Sequence, residues 1–473
     1  MSYLDKYDIV IGLEIHAELN TKTKIFCGCK NEYGANPNTN VCPVCTGMPG
    51  ALPVANKRAI ELGIKAGLSF GCDISEIAVF ERKNYFYPDL AKAYQISQIV
   101  SPICTKGKVV LDSGKIIRIN RIQLEEDAGK LTHVSRAVGT LVDYNRAGTP
   151  LIEMVTEIDF SSAEEVVEFL KKVREILVFE DIAKCKMEEG GMRCDVNLSL
   201  KPKGSKTLGT RTEMKNLNSF KSVQRAIEYE AERQAEVLSE GGHVIQETRK
   251  WDENKGRSFA LRDKVDAQDY RYFPEPDIPT IIVSNNVVER IKKEMVMLPA
   301  VRRKRYIEEF GLPIYDSEIL TTSKYMSDYY EECVREYNNP KKISNWIMVD
   351  LLKMVNLKDD EKFPISSKDL STIIKMVEDK KINKTVGLQL LEKVVITKEK
   401  PEDLAKKMGL LITITEKQII DLIRELKLKN PKVVEDYKIV PEKVETFVVG
   451  YVMKNTQGKA DSVKVRELIK KEF

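Results

Sequence analysis

Residues 8–19 alternate without a break. Ile9, Ile11, Leu13, Ile15, Ala17 and Leu19 fall on one side, with Gly12, Glu14, His16 and Glu18 on the other. In a strand successive side chains point to opposite faces, so this stretch needs a sheet with one covered apolar face and one polar face. Glu14 and His16 then share the polar face, about 7 Å apart at the strand rise. A carboxylate and an imidazole so placed can hold one metal ion or serve two neighbouring ones. Gly12 lies on the same face and leaves room for a ligand to approach. The same pattern also describes the solvated face of an ordinary amphipathic strand, and this stretch alone leaves both readings open.

The chain has 473 residues, more than one ordinary core can use, which predicts about three domains. With 42% hydrophobic and 31% charged residues it has the make-up of a folded chain. A net charge of +4 excludes nucleic-acid binding by bulk electrostatics, so any RNA contact must come from local patches. No apolar run approaches the roughly 20 residues that span a bilayer, and residues 1–6 carry no signal pattern. No membrane association and a cytoplasmic location are therefore expected, or an organelle matrix after import.

From Tyr7 to Pro299 short alternating runs mix with Gly/Pro turns and a few helices; beyond, Lys- and Glu-rich helical periodicity takes over. Pro274, Pro276 and Pro279 precede the change, and Pro401-Glu402-Asp403 reads as a later helix start. The fold class expected is α+β. A large mixed domain with antiparallel strands fills 1–297, an all-helical middle domain 298–400, and a small helical tail domain 401–473. Ser161 or Ser162 can cap a helix, since Glu164 and Glu165 complete capping boxes, and its apolar stripe is Val166, Phe169, Leu170, Val173, Ile176 and Leu177.

Nine cysteines in such a chain do not suggest a disulfide framework. Cys72, Cys104, Cys185, Cys194 and Cys333 are scattered and read as small packing residues. Cys27, Cys29, Cys42 and Cys45 form two tight pairs within 27–45, the spacing of a zinc knuckle. Four thiolates leave no open position, so the zinc would be structural. His16-Ala17-Glu18 with Cys42-Pro43-Val44-Cys45 superficially matches a zinc deaminase, but residue 41 is Val rather than Pro and the four cysteines are complete without His16.

Other polar segments recur before residue 298. Arg82-Lys83-Asn84-Tyr85-Phe86-Tyr87 interleaves cations with aromatics, which suits phosphate contact and stacking or an aromatic turn with snorkelling charges. Glu125-Glu126-Asp127, Glu153 and Asp195 each lie among apolar, strand-like residues, and clustered carboxylates suit hard Mg²⁺ ions. Lys215, Asn216 and Asn218 add ammonium and amide donors. No G-x-x-x-x-G-K-[ST] loop, dinucleotide fingerprint or amidase nucleophile segment occurs.

Together these stretches closely resemble GatB of the tRNA-dependent amidotransferases, over essentially the whole chain. The resemblance rests on Ile11-Gly12-Leu13-Glu14-Ile15-His16, Arg82 to Asp89, Ala93-Tyr94-Gln95-Ile96-Ser97-Gln98, Leu124 to Lys130, Lys215 to Ser219, and Asp269 to Asp277. The archaeal paralogue GatE carries a large extra domain for which this chain has no room. The resemblance implies a catalytic cradle over 1–297 and a YqeY-like tRNA-binding tail. It implies ATP-dependent phosphorylation of the side-chain carboxylate of Glu-tRNA(Gln) and/or Asp-tRNA(Asn). Amidation would follow, by ammonia channelled from a glutaminase/amidase partner (GatA), with a small third partner (GatC) bracing the pair in a heterotrimer.

By motif position, the resemblance makes Glu14, His16, Glu126 and Glu153 the Mg²⁺ ligands, with Glu125 and Asp195 close by. Strand parity cannot choose between Glu125 and Glu126; motif position favours Glu126. Arg82, Lys83, Lys215, Asn216 and Asn218 are the expected ATP contacts, with Lys83 on phosphate. The four cysteines would hold a zinc that some family members lack, so catalysis is expected not to require it. In the tail, 15 Lys/Arg face 12 Asp/Glu, and Lys454 and Lys459 are the expected tRNA phosphate contacts. The rival reading is a structural tRNA-binding scaffold whose acids serve only the fold.

Overall fold

The structure is a computed structural model that describes residues 3–133, 139–263, 269–354, 362–411, 415–456 and 460–473. The chain divides into two compact units, Met1–Leu298 and Pro299–Phe473. The first is built on a nine-stranded sheet. Its strands are β1 (Tyr7–Glu18), β2 (Asp73–Ile74), β3 (Cys104–Val110), β4 (Ile116–Glu126), β5 (Pro150–Thr156), β6 (Met192–Pro202), β7 (Thr212–Leu217), β8 (Glu247–Asp252) and β9 (Arg257–Asp263). They lie in the order β9-β8-β7-β6-β1-β5-β4-β3-β2. Every neighbour is antiparallel except β7 and β8, which run parallel.

The alternation in β1 sets the two faces. Ile11, Leu13, Ile15 and Ala17 are buried, as are Ile122, Leu124, Ile152, Met154, Val196 and Leu198 on the flanking strands. Helices α1 (Lys57–Ser69), α2 (Ala163–Phe179) and α3 (Phe220–Ser239) belong to the same apolar core. Val166, Phe169, Leu170, Val173 and Leu177 of α2 are each fully buried, worth about 1.5–3 kcal/mol apiece before entropy is counted. Ser162 is the N-cap of α2, accepting from the Glu165 N–H. Glu165 returns its carboxylate to the N–H of Ser161 rather than to that of Ser162 (2.8 Å), so the two serines divide the capping.

The space over Gly12 is not left for a ligand. A Cβ there would meet Ile158 Cγ2 at 3.3 Å, so the glycine admits the Ile158 side chain instead. Glu81–Asn84, Tyr94–Ser97 and Phe273–Pro274 form a separate three-stranded sheet carrying Arg82 and Lys83. All five scattered cysteines are buried.

The second unit is helical and contains two distinct apolar cores. One gathers Tyr306, Tyr330, Trp346, Ile373, Leu390 and Ala405; the other gathers Ile423, Val448, Val452, Val465 and Ile469. The second core is enclosed by Glu416–Lys429, Lys432–Ile439, Pro441–Asn455 and Ser462–Glu472. Among the described residues no helix is long and apolar enough to cross a membrane.

Candidate active site

The register of the central strands collects charged groups on the polar face of the sheet. His16 on β1 stands opposite Glu153 on β5 and Arg193 on β6, while Glu14 stands opposite Asp195. Leu151 pairs with Glu125 and Glu153 with Gln123, so both acids share a face with His16. On the other side Asn197 pairs with Glu213. Two groups result, each with donor atoms within 4.8 Å of one another: His16, Glu125 and Glu153, and Glu14, Asp195 and Glu213. They are joined through β1, where Glu14 and His16 are two residues apart.

In the first group His16 Nε2 lies 3.2 Å from Glu125 Oε1 and 3.9 Å from Glu153 Oε2. Gln123 Nε2 donates to Glu153 (2.8 Å) and to Ser97 Oγ (3.1 Å), and Ser97 Oγ donates to Glu125 (3.3 Å). Burial disfavours the His16 imidazolium, but the hydrogen bond and charge of Glu125, with the charge of Glu153, outweigh it and raise the pKa to about 9. Burial likewise opposes ionisation of Glu125, which His16 and Lys83 nevertheless hold below the usual carboxylate range. Glu153 is pushed up by burial and then by the neighbouring Glu125 charge. With two carboxylates crowded together, Glu153 is still pushed toward its neutral form although His16 and Lys83 are near, a cost that a bound cation would relieve.

The second group has its own set of donors. Asn197 Nδ2 donates to Glu14 (3.1 Å) and Thr248 Oγ1 to Glu213 (2.8 Å). Lys215 Nζ lies 2.6 Å from Asp195 Oδ2 and 2.9 Å from Glu213 Oε1. Beyond His16 a third set continues along the face. Asp127 pairs with Arg146 and with Arg193 (2.9 Å), and Arg146 reaches Glu18 at 3.3 Å. Burial pushes Glu18 up to about 7, against the pull of Arg146.

The sequence-derived residues separate on this geometry. Glu125, and not Glu126, faces His16. The Glu126 carboxylate is turned to Lys92 Nζ and also accepts the Ile96 N–H (2.9 Å). Successive strand residues point opposite ways, and motif position alone could not say which way. Lys83 Nζ stands 4.8 Å from the Tyr270 ring centroid. Burial opposes its charge, but the Tyr272 phenol and the carboxylates of Glu125 and Glu153 hold its pKa up.

Arg82, next in sequence, is committed elsewhere. Its guanidinium forks onto buried Glu275 (2.7 and 2.8 Å) and reaches Asp277 at 3.0 Å. We expect Arg82→Ala to destabilise the first unit by about 3–5 kcal/mol, since it strands the Glu275 carboxylate in the interior. A thermal melt checks this, and an unchanged midpoint would refute it.

Lys215 engages two acids, while Asn216 sits at φ +68° and donates to the Trp251 carbonyl (3.0 Å). Asn218 is exposed. Lys454 is exposed near the end of a helix, and Lys459 lies outside the described residues. Glu213 and Arg193 lie inside polar stretches of the sequence but carry no assigned role there, and Gln123 and Arg146 have no sequence signal. Glu213 had a signal, since it stands two residues before Lys215 in a strand-like run.

The four clustered cysteines converge, with all sulfurs within 4.8 Å of one another. The Cys42 and Cys45 sulfurs are 3.9 Å apart, and the Cys42 N–H donates to Cys45 Sγ at 3.2 Å. A hydrogen bond with Cys27 draws the Cys45 thiol far below its ordinary range, against burial and with help from the Cys42 backbone and Lys24. Four soft donors at this spacing fit a tetrahedral zinc.

Two family models match the chain: the GatB/GatE catalytic domain over residues 9–289, and the GatB domain over residues 328–473. Similar curated proteins cover nearly the full length. One from Caldicellulosiruptor bescii is 50% identical over 99% of both chains, one from Thermoanaerobacter sp. is 47% identical, and one from Clostridium novyi is 45% identical, each also over 99% of both. All three are named as the B subunit of aspartyl/glutamyl-tRNA(Asn/Gln) amidotransferase.

Proposed function

The chain belongs to the GatB/GatE family, and from that premise we propose that its polar sheet face phosphorylates the side-chain carboxylate of a misacylated tRNA. The family activity is tRNA-dependent amidotransfer, converting Glu- or Asp-tRNA to Gln- or Asn-tRNA, and it makes this protein part of a carbon–nitrogen ligase. The observation that carries the site assignment is the pair of adjoining acid groups, His16–Glu125–Glu153 and Glu14–Asp195–Glu213, with Lys83 within electrostatic reach of the first.

A carboxylate resists attack by ammonia because its leaving group would be oxide. ATP solves this: a carboxylate oxygen takes the γ-phosphoryl group, ADP departs, and an acyl phosphate forms. Ammonia then adds at the acyl carbon, phosphate leaves with the C–O electron pair and takes up the proton that the nitrogen loses, and the neutral amide results. The mixed nitrogen and oxygen donors of the first group and the oxygen donors of the second fit divalent ions such as Mg²⁺, which would screen the phosphate charge from the incoming carboxylate.

The protein's own residues do the positioning. Gln123 and Ser97 orient Glu153 and Glu125, Asn197 orients Glu14, and Thr248 orients Glu213. Lys83 offers an ammonium to a phosphate oxygen, and Phe86 and Tyr87, three and four residues on and exposed, offer ring faces for stacking. Ammonia is supplied by the glutaminase/amidase partner, GatA, with the small GatC bracing the pair in a cytoplasmic heterotrimer. The cysteine cluster holds a structural zinc. The tail grips tRNA, and Lys454→Glu should weaken tRNA binding and lower its salt slope by about 1; an unaltered slope in a binding titration would exclude that contact.

The decisive assay is the reconstituted trimer given Glu-tRNA(Gln) or Asp-tRNA(Asn), with and without ATP. Phosphate release requiring both ATP and misacylated tRNA is expected, with amide formed only when glutamine or ammonia is added. Equal amide formation without ATP would refute the phosphorylation step and favour the scaffold reading.

A further inference from the structure

Lys24 is fully buried, and its ammonium is aimed at the cysteine cluster. Nζ donates to the carbonyls of Asn40 (2.7 Å) and Tyr144 (3.2 Å) and lies 3.6 Å from Cys45 Sγ. An ammonium withdrawn from water costs several kcal/mol unless an anion compensates it. Among the described residues no carboxylate comes within ion-pair distance of it, so the nearest anionic partner is a cysteine thiolate. Four thiolates around a dication carry a net charge of −2, and one lysine beside Cys45 reduces that to −1.

The other end of the arrangement reaches the sheet. Lys24 binds the Tyr144 carbonyl, and the segment between the cysteine pairs is laced to the same loop. Asn38 N donates to Asp143 (3.0 Å), Tyr144 N donates to Asn38 (2.8 Å), and Asn40 N donates to Asn145 (2.8 Å). The next residue is Arg146, which pairs with Asp127 and Glu18 on the polar face. We propose that Lys24 is the counter-charge of the four-cysteine metal site and the strut through which metal loading fixes the loop carrying Arg146.

This rests on the zinc reading above, and its test separates the two. Zinc affinity would be measured by chelator competition on the full chain, wild type against Lys24→Met and Lys24→Gln. The glutamine variant keeps an N–H for the two carbonyls, so it remains informative should the methionine variant fail to fold. Both are expected to bind zinc about 10- to 100-fold more weakly, the usual cost of losing a group that supports a metal ligand. In the Co²⁺-substituted protein the sulfur-to-cobalt charge-transfer band should move to longer wavelength, because a thiolate that loses a hydrogen bond becomes a better electron donor. Hydrogen exchange at Tyr144 and Asn145 should quicken when zinc is stripped from the wild type, and in Lys24→Gln even with zinc bound. A wild type that binds no zinc overturns both readings. A folded variant with affinity within twofold of wild type and an unmoved band overturns the role of Lys24 alone, and unchanged exchange on zinc removal overturns the strut.

Discussion

Glu125→Gln is expected to lower amide formation on misacylated tRNA by about 10²–10³-fold, the scale lost when one preorganised charge is removed from a phosphoryl- or acyl-transfer site. The substitution keeps the volume and one acceptor oxygen but removes the charge that faces His16 Nε2 at 3.2 Å. It also relieves Glu153 of a like-charged neighbour, so the group loses its appetite for a cation. Divalent-ion affinity should fall in parallel while tRNA affinity stays near wild type, because the change lies on the sheet face and not in the tail. Full activity with unchanged ion binding would remove Glu125 from the site. His16→Ala should behave similarly, since it removes the one nitrogen donor of that group.

The neighbouring substitution should read out in a different quantity. Glu126→Ala is expected to reduce the stability of the first unit by about 3–5 kcal/mol, the usual consequence of leaving one half of a buried ion pair alone. Lys92 would remain as a cation only 10% exposed, beside the rings of Phe26 and Tyr94 (5.7 and 5.4 Å to their centroids). The Ile96 N–H would lose its acceptor as well. Thermal unfolding measures the loss, and phosphate release per folded molecule should survive it. A variant as stable as wild type but unable to phosphorylate would return Glu126 to the metal-facing role that motif position favoured.

These two residues show where reading a sequence stops. Glu125 and Glu126 are chemically equal and adjacent, so only the pairing of Leu151 with Glu125 decides which one joins His16. Arg82 and Lys83 look alike as cations beside aromatics. The structure gives Arg82 to buried Glu275, 193 residues away along the chain, and leaves Lys83 over Tyr270 near the acids. The sequence offers Gly12 as space for a ligand, and Ile158, from beyond the end of β5, occupies that space. Glu213 enters the second group because β7 pairs with β6 through Asn197, a partnership that no local pattern encodes.

What the sequence determined by itself was whatever a local period or a short spacing can carry. The alternation of residues 8–19 specifies a strand with one apolar face, the stripe from Val166 to Leu177 specifies a packed helix, and the motif segments identify the family. Those signals are read within a few residues because backbone geometry repeats every two or 3.6 residues. The tertiary structure alone decided which acids meet, which cation is free to meet phosphate, and that Lys24 stands behind the cysteines. Each of these depends on strand register and on contacts between distant segments, set by burial of the whole apolar face and not by neighbours in the chain.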